Sequence, residues 1–269
     1  MRLHARHYTF IGLAVVVIVT MLLNVRPSVQ ASPDTLKMFA ELDSLPAGSV
    51  LMVSFDHEAS SLPEIRPLAL AFLRHAFKKG HKLIGVALLA EGTGVGYGLM
   101  RQVAAEYHKT YGEDYVYLGF RPQYIAAILS MGESIPATFP EDYLGRPFNS
   151  LPMLEGIKSY EDIAGVVSIT DGSTTVHWIE YGNGRYGVPV SAFVTAAMVT
   201  TYDPYLASGQ MKSMVGGLRG AAEYEQLIGI GGSGARGMLA QSASHLYVIL
   251  LIVIGNIVYF KAKRRGGGR

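Results

Sequence analysis

The chain has 269 residues, 49% of them hydrophobic and 16% charged, with 23 Lys and Arg against 21 Asp and Glu for a formal charge of +2. It contains no cysteine, which excludes a disulfide framework, a thiolate metal site and a Cys nucleophile. Eight of the 23 basic residues lie in the terminal segments, so residues 32–244 hold 15 against all 21 acidic ones, a net of −6. The basic surplus therefore sits at the chain ends, and no nucleic-acid partner is expected.

At the N-terminus, Arg2 and Arg6 precede Tyr8 to Val25, whose polar side chains are limited to Tyr8, Thr9, Thr20 and Asn24. The length suits a helix crossing a bilayer from a cytoplasmic start, and residues 1–31 read as a basic tip and an anchor. A cleavable signal peptide is the competing reading, because Val29-Gln30-Ala31 has the small residues a signal peptidase accepts. Both readings export the segment that follows.

Residues 32–228 read as one α/β domain. Ser32-Pro33-Asp34 caps a short amphipathic helix to Leu45. The apolar run Ser49 to Phe55 then reads as a strand buried on both faces, followed by helical spacing from Pro63 to Gly80. Lys82 to Leu89 repeats the strand pattern, followed by a Gly-rich turn and a helix over Leu99 to Tyr111. Tyr115 to Phe120 and Gln123 to Ser130 supply a third strand and helix. Three such units predict a three-layer Rossmann-like or flavodoxin-like, mostly parallel sheet with right-handed crossovers.

From Gly132 to Gly156 the pattern dissolves among four prolines, which predicts a long loop that is functional or packed across an edge. Strands are expected over Gly165 to Thr170, Thr175 to Tyr181 and Val188 to Val194, the last kept from the sheet centre by Pro189. Helices over Ala196 to Tyr202 and Tyr205 to Ile228 would close the domain. Residues 229–240 have the composition of a Gly-rich linker. Residues 241–262 read as a second membrane helix and 263–269 as a basic cytoplasmic tail, through Lys261, Lys263, Arg264 and Arg265.

Four groups carry possible chemistry. Gly92-Thr-Gly-Val-Gly-Tyr-Gly98 stands where a phosphate-binding turn would, but does not spell G-x-G-x-x-G, and close helix–sheet packing explains it equally. Asp56-His57-Glu58 falls past the first strand, with Glu91 and Asp171 past the second and fourth, where open α/β sheets place their sites. Acidic residues at such junctions also serve as caps. Ser233 in a Gly-rich stretch lacks any partner motif for a nucleophile. In the final span Gln241 and His245 are four apart, and Asn256 lies nearly three turns beyond His245, so these three are expected to meet another helix.

Together with Ser54-Phe-Asp56 and Gly255-Asn-Ile257, Gly216-Gly-Leu-Arg-Gly-Ala-Ala-Glu-Tyr-Glu225 and Ala240-Gln-Ser242 make the chain similar to an uncharacterised bacterial membrane-protein family. That resemblance implies a span at each end with one α/β domain between, and no activity. The residues and the resemblance together lead to an expected membrane-anchored binding or assembly module of a bacterial envelope complex, more a scaffold than an enzyme, without cofactor or metal. Its partners would be the lipid bilayer and other membrane or envelope proteins. It would sit in the inner membrane with both termini cytoplasmic and the domain periplasmic or extracellular. The alternative is an envelope hydrolase using Asp56, His57 and Glu91, with or without a divalent metal.

Overall fold

A computed structural model describes residues 5–23 and 29–266; Arg2, which entered the topology argument, lies outside them. The chain divides into two compact units, Ser28–Gly234 and the pair of terminal segments Met1–Pro27 and Ala235–Arg269.

The central unit is built on six strands, β1 (Val50–Asp56), β2 (Lys82–Ala87), β3 (Tyr115–Phe120), β4 (Gly165–Thr170), β5 (Val190–Val194) and β6 (Met214–Gly216). They lie in the order β3-β2-β1-β4-β5-β6, and every pairing is parallel. This is the order of the doubly wound Rossmann-like sheet, so the expected α/β class holds. Continuous apolar strands such as Leu51-Met52-Val53 are buried on both sides because helices cover both faces.

One face receives α2 (Pro33–Ser44), α3 (Leu62–Lys78), α4 (Ala90–Glu106) and α10 (Gly217–Leu227), which pack on Leu51, Val53 and Phe55 of β1. As expected, Ser32 caps α2, its hydroxyl accepting from Thr35 N with Pro33 in the first turn. The other face carries α5 (Tyr124–Glu133), α6 (Ile135–Thr138), α7 (Thr174–His177), a π-helical turn Trp178–Asn183, α8 (Gly184–Tyr186) and α9 (Val199–Ala207). The Pro-rich segment after α5 lies along the outer edge of β3, where Tyr143 N donates to Tyr117 O at 2.9 Å. It covers an otherwise open sheet edge.

Several local expectations are corrected. Thr175 to Tyr181 is helical, not a strand: its β-branched and aromatic residues favour extended chain, but burying adjacent Trp178 and Ile179 against the sheet requires a coiled segment. Val190–Val194 is an interior strand between β4 and β6, because Pro189 stops one residue short of it and contributes only a carbonyl, accepting from Val166 N at 2.8 Å. The helix expected over Tyr205 to Ile228 is interrupted by β6, three residues too few to register as a period. The Gly-rich turn is the first half of α4. The glycines expected in a linker are helical from Ser233, where α11 (Ser233–Gly266) begins.

In the terminal unit, α11 is the one helix among the described residues long and apolar enough to cross a membrane, over Ser233–Arg264. At 1.5 Å per residue that is about 48 Å of helix. Among the described residues the span expected at the N-terminus is not matched: α1 (Ala5–Leu22) has 18 residues, about 27 Å of helix against a hydrocarbon core of about 30 Å, and Asn24 and Val25 of the expected span lie outside the described residues. The two helices touch within this unit. The Tyr247 hydroxyl donates to Thr9 O at 3.2 Å, and its ring lies over Gly12, where a Cβ would clash with it.

Candidate functional site

The strand order reverses between β1 and β4, and the loops leaving their carboxyl ends diverge. A cavity of about 560 Å³ opens there, lined by Glu58, Glu64, Asp171, Thr174, His177 and Thr195 among others. No Lys or Arg lines it. Tyr124 stacks on His177 with centroids 4.6 Å apart, and Tyr181 stacks against the same ring at 6.2 Å. The crevice is therefore acidic with one aromatic wall.

Two of its carboxylates, with Glu91 outside the lining, also knit the loops together. Glu58 N donates to Asp171 Oδ2 at 2.9 Å, Ala59 N to Glu91 Oε2 at 3.1 Å, and Ala196 N to Glu64 Oε1 at 2.7 Å. Loops after β1, β2, β4 and β5 are thus held in one geometry by side-chain acceptors for backbone donors that would otherwise lack them.

Asp56 and His57 lie beneath this rim, both fully buried. Asp56 Oδ2 accepts from Ser54 Oγ at 2.6 Å and Oδ1 from Leu88 N at 2.7 Å, so it ties β1 to the start of the loop after β2. Burial pushes its pKa up to about 6, against the lowering effect of those hydrogen bonds. Burial lowers that of His57, whose Nδ1 lies 3.3 Å from Glu58 O while its buried Nε2 has no partner. With a carbonyl facing Nδ1, the neutral ring carries its proton there. Burial, together with the nearby Asp56 charge, raises the Tyr117 phenol, and the Tyr202 phenol is pushed up to about 12.

The structure thus brings Asp56, His57, Glu58, Glu91 and Asp171 to one end of the sheet. Among the described residues no three His, Asp or Glu side chains gather closely enough to hold a metal ion. The Gly-rich segment does not form a phosphate loop. Gly92 and Gly96 lie in α4 against β1, where a Cβ would come within 2.0 Å of Phe55 O and 2.6 Å of the Phe55 ring. The turn after β1, where a dinucleotide fold carries its glycines, is Asp56-His57-Glu58.

On α11, Gln241 and His245 are exposed, and Asn256 Nδ2 donates to Ile252 O of its own helix at 2.9 Å. Thr20 of α1 likewise donates to Val16 O at 2.7 Å. Such local bonds satisfy an isolated polar side chain without a second helix. Ser233 is the first residue of α11, and the buried Glu225 receives Gly234 N.

Sequence reasoning did not find the Tyr124–His177–Tyr181 stack or the buried Tyr117, Trp178 and Tyr202 beside Asp56, which come from separate elements with no shared spacing. No family model, curated protein or solved structure matches this chain.

Proposed function

We propose that this chain is a membrane-anchored binding or assembly module of a bacterial envelope complex, with the crevice between β1 and β4 as its docking site. The observation that carries this reading is the use of the carboxylates at this end of the sheet. Asp171 and Glu64 of the crevice, and Glu91 beside them, each accept a loop N–H, which ties the loops into an acid-lined, aromatic-walled surface. Acidic groups without a basic neighbour disfavour phosphates and dinucleotides. They suit a partner presenting ammonium, guanidinium or hydroxyl groups, with Tyr124 and His177 as the stacking face.

Anchoring is assigned to α11, with Lys261, Lys263 and Arg264 at its cytoplasmic end. The contact of Tyr247 with Thr9 and Gly12 supports α1 as a second crossing, packed on the first, with both termini cytoplasmic. The rival hydrolase would depend on Asp56 and His57, which are closed off from solvent, and on Glu91, which is bonded to the Ala59 backbone.

The test is purification of the native protein from its own membranes in mild detergent, with mass spectrometry of what accompanies it. A stoichiometric partner is expected, and Tyr124→Ala, at an exposed side chain, is expected to weaken its retention tenfold or more, about 1.4 kcal/mol. A protein that purifies alone, or a partner retained equally by the variant, rejects the crevice as the docking site.

A further inference from the structure

A second cavity, of about 510 Å³, opens at the carboxyl end of β3. It is formed at a local irregularity. The β2–β3 register slips by one residue so that Leu118 is extra, and Gly119 takes φ +94°. Bulges of this kind redirect side chains near sites. Here the chain turns so that Arg121 lines the cavity together with Thr93, from the first turns of α4.

Two features set this cavity apart from surface relief. Arg121 makes no ion pair or side-chain hydrogen bond among the described residues, and its Nε is buried without a partner while the guanidinium lies 4.8 Å from the Phe139 ring centre. The Thr93 hydroxyl is likewise buried and unpartnered, although a helical threonine commonly bonds a carbonyl one turn back. A buried donor left without an acceptor is costly, so two at one cavity mark an acceptor that the chain does not itself supply. The N-cap of α4, Leu89, offers no side-chain acceptor, and that helix end also favours negative charge.

The remaining walls restrict the ligand. Phe120 and Tyr143 present exposed aromatic surface at the cavity, and Phe139 backs it. Asp142 is committed to the Tyr111 hydroxyl and the Leu144 and Arg146 backbones, whereas Glu141 stands exposed on the rim. One cation inside and one carboxylate at the mouth suit a neutral pair of opposite charges better than a bare anion.

We infer that this cavity binds a small zwitterion of the amino-acid type with an apolar side chain. Its carboxylate meets Arg121 and Thr93, its ammonium faces Glu141, and its side chain lies on the aromatic wall. The site is separate from the crevice between β1 and β4.

Calorimetry on the full-length protein in detergent micelles tests this, with L-phenylalanine, L-leucine and L-methionine as probes and benzoate, 2-phenylethylamine and inorganic phosphate as single-charge controls. At least one amino acid is expected to bind more tightly than any control. Arg121→Gln and Thr93→Val should each weaken it, the former tenfold or more, and Glu141→Gln should narrow its lead over benzoate. Thermal unfolding of each variant shows whether the fold is kept. If all three amino acids fail to bind up to about 10 mM, the weak end of specific affinity, the inference is wrong. Binding untouched by both Arg121→Gln and Thr93→Val, or matched by phosphate, overturns it equally.

Discussion

Asp56 is the residue whose environment most departs from its sequence appearance. At the end of an apolar strand it looks like a solvent-facing site carboxylate, yet it is fully buried with both oxygens engaged by Ser54 and Leu88. Its folded pKa of about 6 lies above the ordinary 3.8, so between those values the folded protein keeps a proton that the unfolded chain has released. Stability from this group is therefore present at acid pH and is lost as pH rises through about 6. Asp56→Asn, which can still accept from Leu88 N, is expected to abolish that decline and be up to about 3 kcal/mol more stable at pH 7. Denaturant titrations between pH 4 and 8, in about one-unit steps across this linkage window, measure it. His75 supplies an internal control of opposite sign. Burial depresses it to about 4, against the pull of Asp43 and together with the repulsion of His81 and Lys79, so its contribution is lost as pH falls and should persist in the variant. A variant profile parallel to the wild type above pH 4 would show that Asp56 is ionised in the fold.

At the scale of elements, α4 explains why its sequence misleads. Seven residues containing four glycines read as a turn, since glycine is a poor helix former. In the fold the glycines differ by face. Gly92 and Gly96, four apart, let the helix touch β1, whereas Gly94 and Gly98 meet open space. Gly96→Ala should cost about 1–3 kcal/mol by overpacking against Phe55. Gly94→Ala should add up to about 1 kcal/mol from helix propensity. Thermal unfolding of the two variants checks this, and equal shifts would refute the packing assignment. The segment Thr175 to Tyr181, α7 and the start of the π-helical turn, is the complementary case: its β-branched and aromatic residues read as a strand, and tertiary burial of Trp178 with Ile179 makes it helical.

For the whole molecule, charge and hydrophobicity are separated along the chain. Residues 32–244 carry a net −6 while Lys261, Lys263, Arg264 and Arg265 follow the apolar stretch of α11. The positive cluster predicts the side on which the chain ends. The absence of native cysteine permits a direct test with single Cys variants at the exposed positions Glu155→Cys and Lys263→Cys. In spheroplasts, a membrane-impermeant maleimide is expected to label the first and to reach the second only after lysis. Labelling of Lys263→Cys in intact spheroplasts would reject the cytoplasmic C-terminus.

Legible in the residues alone are the α/β class, the first four strands, the Ser32 cap, the apolar C-terminal helix and the clustering of Asp56, His57, Glu58, Glu91 and Asp171 at one sheet end. Each of these follows from local pattern: continuous apolar runs, capping chemistry, or position just past a strand. Packing in three dimensions sets the strand order, the interior place of β5, and the helical state of Gly92 to Gly98 and of Thr175 to Tyr181. It also decides what each acidic side chain does, since the acceptor for Glu58 N lies 113 residues away on Asp171 and that for Ala196 N lies 132 residues away on Glu64. Arg121 and Thr93 face one cavity, and Tyr124 and His177 one wall, through crossovers that bring separate helices and loops to the same strand ends. No one-dimensional spacing encodes such meetings, because packing between elements selects among conformations that local propensity leaves within about 1 kcal/mol of each other.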